Sequence, residues 1–205
     1  AATGKEILRR LVRWGDVVLV NQTSAQLRSL GIDEASLKAI NPHVILSQFD
    51  AFGGPHHGPR SDAVGYDDLL QATTGIMARF GGGLDRPEEH AHLGTVDVVS
   101  GFLGALSVVM VLFKRLRTGQ ADTARASLAA AAQLIQAPFM YDVTCARTGR
   151  GLKRFDEPSG PHAMGEHALY RWYPTPQGGH VFVAAPPEGT PEFRAALRDS
   201  METMG

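Results

Sequence analysis

Asp97 stands at the head of a strongly apolar run, Val96 to Phe113 (VDVVSGFLGALSVVMVLF). A carboxylate in such a place needs a partner or a role, because taking an ionised group out of water is costly. At the start of a helix, the free N–H groups would hold it ionised, in keeping with the macrodipole. A partly desolvated, ionised carboxylate can act as a nucleophile or a base. The competing reading is an N-cap, a position that aspartate favours. Composition and spacing leave both open.

Other clusters carry less chemistry. His90 and His92 follow Glu88-Glu89, but residues two apart diverge on a helix, and no third ligand follows at metal-site spacing. They read as a solvated loop, as do His56 and His57. Phe52-Gly53-Gly54-Pro55 lacks both the dinucleotide glycine pattern and a phosphate-loop lysine, which argues against a nicotinamide or ATP site. No G-x-S-x-G elbow is present, so a serine hydrolase is unsupported. Cys145 is the single cysteine. It sits in a polar context without an obvious base and cannot staple the fold, so an oxidising compartment is not required. No metal and no permanently bound cofactor is expected.

The elements that must position Asp97 read as an α/β protein. Thr3 to Glu6 has the form of a capping box, followed by an Ile7-Leu8-Leu11-Val12 stripe that Gly15 ends. Val17 to Val20 suits a strand covered on both faces. A helix over 34–40 follows Asp33, and Val44-Ile45-Leu46 is the next strand. This alternation predicts an open parallel, Rossmann-like sheet with flanking helices. Residues 53–63 form a Gly/Pro loop, and a helix runs from Asp68 to Phe80. The apolar run from Asp97 is expected to be a helix buried in the core. An Ala-rich helix over 121–137 ends at Pro138. Tyr170 to Ala185 reads as two strands around Pro-Gln-Gly-Gly, and Glu192 to Met204 as a helix.

The 205 residues carry 20 Lys plus Arg against 21 Asp plus Glu, a formal charge of −1. That balance argues against a nucleic-acid binder, which needs a basic face. The uninterrupted apolar stretch, 98–113, is 16 residues, short of the ~20 of a membrane span. No signal peptide opens the chain. A cytoplasmic protein is expected, with neither membrane nor nucleic acid as partner. Three parts are expected: a large α/β domain over 1–144, a linker over 145–168 and the start of a smaller α/β domain over 169–205. Both ends read as cut from a longer protein.

Several strings in register carry a resemblance. They are GKEILRRLVRWGDVVLVN, LRSLGI, INPHVILSQFDAFGG, GYDDLLQATTGIM and the Asp97-Val-Val-Ser-Gly101 segment running to KRLRTG, with LYRWYPTPQGGHVFVAA further on. Together they resemble the family III CoA-transferases, the group of formyl-CoA transferase, carnitine CoA-transferase and alpha-methylacyl-CoA racemase. The resemblance implies a large and a small α/β domain, an interlocked homodimer, and acyl-CoA and a carboxylic acid as substrates, with coenzyme A passing between them. It places Asp97 at the family's catalytic aspartate, which forms an aspartyl-CoA intermediate. Tyr66 and Asp67 fall with catalytic pocket residues, while Asn21, Arg28 and Gln71 fall with CoA- or substrate-binding ones.

The racemase branch carries histidine where Tyr66 stands. Tyrosine, with a reference pKa near 10, is a poor base at neutral pH, which favours transfer over racemisation. The segment after Asn21 departs from the family pattern: Ser29 stands where a CoA-contacting arginine is expected, and Arg28 is one place early. That departure keeps a third reading in view, a non-catalytic CoA-transferase-like domain of a larger protein.

Overall fold

The computed structural model describes residues 2–53, 58–90, 94–144, 149, 151–152, 165–167, 169–185 and 190–204. The chain forms two compact units, Ala1–Ala137 and Pro138–Gly205.

The first unit opens with α1 (Ala2–Trp14), β1 (Val17–Val20), α2 (Ser24–Leu30), α3 (Glu34–Lys38) and β2 (Ile45–Asp50). It continues with α4 (Asp67–Thr74), α5 (Ile76–Phe80), α6 (Thr95–Thr118), β3 (Ala124–Ser127) and α7 (Leu128–Ile135). The three strands form an open parallel sheet with β2 in the middle. Val17 lies opposite Ile45, and Ser47 opposite Ala124. The expected parallel α/β architecture is thus present.

Alternation along β2 sorts the helices onto two faces. Leu46 packs with Val12, Leu27, Leu37 and Val44, so α1, α2 and α3 cover its side. Phe49 points the other way, toward α6. A Cβ at Gly104 of α6 would overlap the Phe49 ring, so glycine is what lets this helix lie close on the sheet. A second cluster, built on Leu70, Ile76, Val96, Ala131 and Ala132, joins α4, α5, α6 and α7.

Several expectations need correction. The first helix begins at Ala2, so Thr3 lies inside its first turn and is not the cap. Half of its stripe is outside the core: Val12 is buried, while Ile7 and Leu11 are exposed. β1 is covered on one face only, since Leu19 is 65% exposed. The helix from Asp68 is two helices, broken at Gly75, whose φ of 84° suits glycine. The Ala-rich helix over 121–137 is instead β3 followed by α7. Ala124 to Ser127 becomes a strand because it pairs with β2, a tertiary effect that overrides helix propensity. Pro138 does not end a helix but lies in the next one, α8 (Ala137–Met140).

The largest correction concerns α6. It is not a buried core helix. Val96, Ser100 and Gly104 are buried, but Phe102, Met110 and Leu116 are 73%, 63% and 82% exposed. It runs for 24 residues and is long and apolar enough to cross a membrane by length and composition. The 16-residue count that argued otherwise took only its uninterrupted part.

The second unit holds the antiparallel pair β4 (Val143–Thr144) and β5 (Gly151–Leu152). It also holds an antiparallel sheet of β6 (Gly165–His167), β7 (Tyr170–Pro174) and β8 (His180–Ala184), then α9 (Pro191–Met204). Tyr170 and Trp172 of β7 both pack on Phe182 of β8, with ring centroids 5.1 and 4.9 Å apart. The hairpin and final helix match the expectation. Cys145 lies outside the described residues.

Candidate active site

Parallel α/β sheets bind ligands at the carboxyl ends of their strands. Here β1 ends at Val20 and β2 at Asp50, and a cleft of about 580 Å³ opens there. Asn21, Phe49, Asp50, Tyr66, Asp97 and Ser100 are among its walls. Among the described residues that line it, none is Lys, Arg or His. The sheet and α6 therefore bring together three of the six expected site residues: Asn21, Tyr66 and Asp97.

Asp97 is the third residue of α6, behind Thr95 and Val96, so the N-cap reading fails. Gly94 stands at the cap position and has no side chain to offer. The free N–H groups of the first turn must still be met. Asp67 of α4 reaches over and its Oδ2 accepts the Asp97 backbone N–H at 2.7 Å. Gln71, one turn further along α4, donates through Nε2 to Asp67 Oδ1. Gln71 Oε1 in turn accepts the His90 backbone N–H at 2.8 Å. Asp67 and Gln71 are buried and do not line the cleft.

This arrangement reverses the expected electrostatics of Asp97. Burial pushes its carboxyl above the ordinary carboxylate value, and the negative charges of Asp67 and then Asp68 push the same way. The helix N-terminus does not dominate, because its relevant donor is already taken by Asp67.

Tyr66 is 71% exposed at the mouth of the cleft. Its hydroxyl makes no capping bond to α4. Asn21 follows the end of β1, and its Oδ1 accepts from Gln22 Nε2 at 3.1 Å. Arg28 is not at this cleft. It lines a second one of about 460 Å³ with Asp33, Glu34, Lys38, Gln48 and Arg125. Helical geometry explains the split: Thr23 and Gln26 face the first cleft, while Leu27 and Arg28 face the second.

The sequence reading missed Asp50. It closes β2 and lines the cleft with Asp97. Its Oδ1 accepts the Gly53 N–H, and a Cβ at Gly53 would collide with the carboxylate. Burial raises the Asp50 carboxyl; the Gly53 N–H and the Arg125 charge pull it back, and Asp62 adds a small upward push. Its signal was present, as an acidic residue at the end of an apolar strand. Among the described residues, no three His, Cys, Asp or Glu gather as for a metal ion. His56, His57 and His92 lie outside those residues.

An open parallel sheet flanked by helices, with a carboxylate-bearing cleft at its strand ends, defines an α/β domain. The family model of CoA-transferase family III matches residues 1–203, and the chain belongs to that family. It is 45% identical over 180 residues to the CoA-transferase/lyase DddD of Marinomonas sp. (strain MWYL1), covering 88% of this chain and 20% of that protein. It is 25% identical over 183 residues to human alpha-methylacyl-CoA racemase, covering 89% of this chain and 46% of the racemase. The crystal structure of a CAIB/BAIF family protein from Brucella suis superposes with a TM-score of 0.67 at 25% identity, over 100% of this chain and 57% of that one. The chain thus spans less than half of either curated relative.

Proposed function

We propose that this chain supplies the nucleophilic half of an acyl-CoA:carboxylate CoA-transferase, with Asp97 forming the covalent intermediate. One observation carries the reading: Asp97 is an accessible carboxylate in a cleft without a basic residue among its described walls. An Oδ of Asp97 attacks the thioester carbonyl of the donor. The C–S bond breaks, CoA leaves as thiolate and a mixed anhydride forms. The thiolate then attacks the aspartyl carbonyl, releasing the donor acid and leaving an aspartyl-CoA thioester. The acceptor carboxylate displaces the thiolate to form a second anhydride. The thiolate attacks the acceptor's carbonyl, giving the new acyl-CoA and the free Asp97 carboxylate. Carboxylates as nucleophiles conserve acyl activation that water would waste, and exclusion of water once substrate is bound protects the two anhydrides and the thioester.

This reading has Tyr66 and Asn21, both on the cleft, contact substrate. The same reading takes coenzyme A thioesters as substrates, a homodimer in the cytoplasm, and residues 169–205 as part of a smaller domain joined through 145–168. A second reading has a specific support: the raised Asp97 carboxyl suits a base, as in a racemase or isomerase.

Two exchange measurements on the intact protein separate them. With an isotope-labelled carboxylic acid and an unlabelled acyl-CoA, transfer predicts label in the thioester pool, lost in Asp97→Ala. Deuterium entering the alpha carbon without thioester exchange would sink the transferase reading.

A further inference from the structure

Gln71 is 0% exposed and does not line the cleft, yet both ends of its amide are committed. Its Nε2 donates to Asp67 Oδ1, and its Oε1 accepts from the His90 N–H at 2.8 Å. A buried amide so tied sets the rotamer of whatever it holds. What it holds is the group that caps Asp97. Asp67 Oδ2 takes the Asp97 N–H at 2.7 Å. The two carboxylates also flank Gly94: a Cβ there would lie 3.2 Å from Asp67 Oδ2 and 3.4 Å from Asp97 Oδ2. Gln71, Asp67 and Asp97 therefore form one chain of contacts from the buried side of α4 to the cleft.

We propose that Gln71 is a positioning residue, which by holding Asp67 fixes where Asp97 sits and which charge it faces. The inference rests on Asp97 being the reacting group. The Gln71 donor keeps Asp67 turned toward the first turn of α6. Among the described residues, the remaining charged or titratable groups around Asp97 are Asp68 of α4, Asp50 and Tyr66 across the cleft, and His90 on the loop before α6. None of these supplies a fixed positive charge to offset Asp67. Loss of the Gln71 donor lets Asp67 turn away. That turn carries a negative charge away from Asp97 and makes it a stronger acid.

The test uses the intact protein and reads Asp97 directly. Carboxyl labelling with a carbodiimide and an amine proceeds through the protonated acid, so peptide mass spectrometry across a pH series gives the midpoint of Asp97. Gln71→Met is expected to lower that midpoint by roughly half a unit to one unit. It is also expected to lower kcat roughly tenfold with KM little changed. Asp67→Asn lowers the midpoint on its own, and in that background Gln71→Met lowers it no further. Gln71→Asn, gentler on packing but too short to reach both partners, is expected to act like Gln71→Met. A midpoint unmoved in a folded Gln71 variant, or moved equally with and without Asp67, overturns the proposal. A midpoint that shifts as expected while turnover stays constant supports the Gln71 linkage and removes Asp97 from the reaction.

Discussion

The two clefts of the first unit treat their carboxylates in opposite ways. At the second cleft, Asp33 caps α3 by accepting the Ser36 N–H at 3.2 Å and the Ser36 hydroxyl at 2.7 Å, and its carboxyl is lowered by those bonds. Glu34 meets Lys38 at 2.6 Å and is lowered by that partner. At the first cleft, Asp97 and Asp50 are raised, by burial above all. Where hydrogen bonds and an ion pair outweigh burial, the carboxyl is lowered; where burial outweighs them, as at Asp50 and Asp97, it is raised. Sequence position alone does not separate them, since Asp33 and Asp97 both stand at helix starts.

Substitution at Asp97 should break the contrast most sharply. Asp97→Asn in the intact protein is expected to lower CoA transfer by about 10³-fold or more, since the nucleophile itself is gone. Relieved of burial and of repulsion from Asp67, the same variant should melt higher at pH 7 by calorimetry. Sign matters here: a raised carboxyl stabilises only where it is protonated, so the gain from Asn shrinks as pH falls through the Asp97 midpoint. A variant that melts lower at pH 7 would show that Asp97 is a structural partner after all.

Next comes Gly104→Leu, which forces a side chain into the Phe49 ring and separates α6 from the sheet. A loss of about 3 kcal/mol is expected in chemical denaturation, at the upper end of overpacking costs. Asp50→Asn should cost transfer about tenfold with the melting temperature held or raised. Loss of folding in that variant would place Asp50 with the structural acids.

At the second cleft the effects are smaller and fall on stability. Asp33→Ala removes a cap and should cost about 1 kcal/mol with transfer kinetics intact. Glu34→Gln loses a half-exposed ion pair and should cost no more than about 0.5 kcal/mol.

A pH series sharpens the same comparison without mutation. Transfer needs ionised Asp97, so activity should fall at a pH above the ordinary carboxylate value near 3.9. Asp33 and Glu34 are lowered, so their stabilisation is lost only as pH falls further, through their folded values. Activity should therefore disappear before helix content by circular dichroism. The reverse order would contradict the assignment.

β1, β2 and the final hairpin were legible because strong local patterns agreed with the tertiary structure. α2 was missed although its signal is plain in hindsight: Thr23 and Gln26 form a reciprocal capping box. β3 was not legible, because Ala-Arg-Ala-Ser has no strand pattern and becomes one only by pairing with β2. The burial of α6 was overread because an apolar run reports hydrophobicity, not the area that neighbours cover. That Arg28 lines the second cleft and not the first follows from a rotation that a string does not display: a single residue along a helix turns the side chain by about 100°.

The most direct test of Asp97 as nucleophile is chemical capture on the intact protein. Incubation with an acyl-CoA and hydroxylamine, followed by peptide mass spectrometry, should give a hydroxamate at Asp97 that is absent in Asp97→Ala. An unmodified Asp97 peptide from protein that is folded and turning over acyl-CoA would contradict the covalent mechanism.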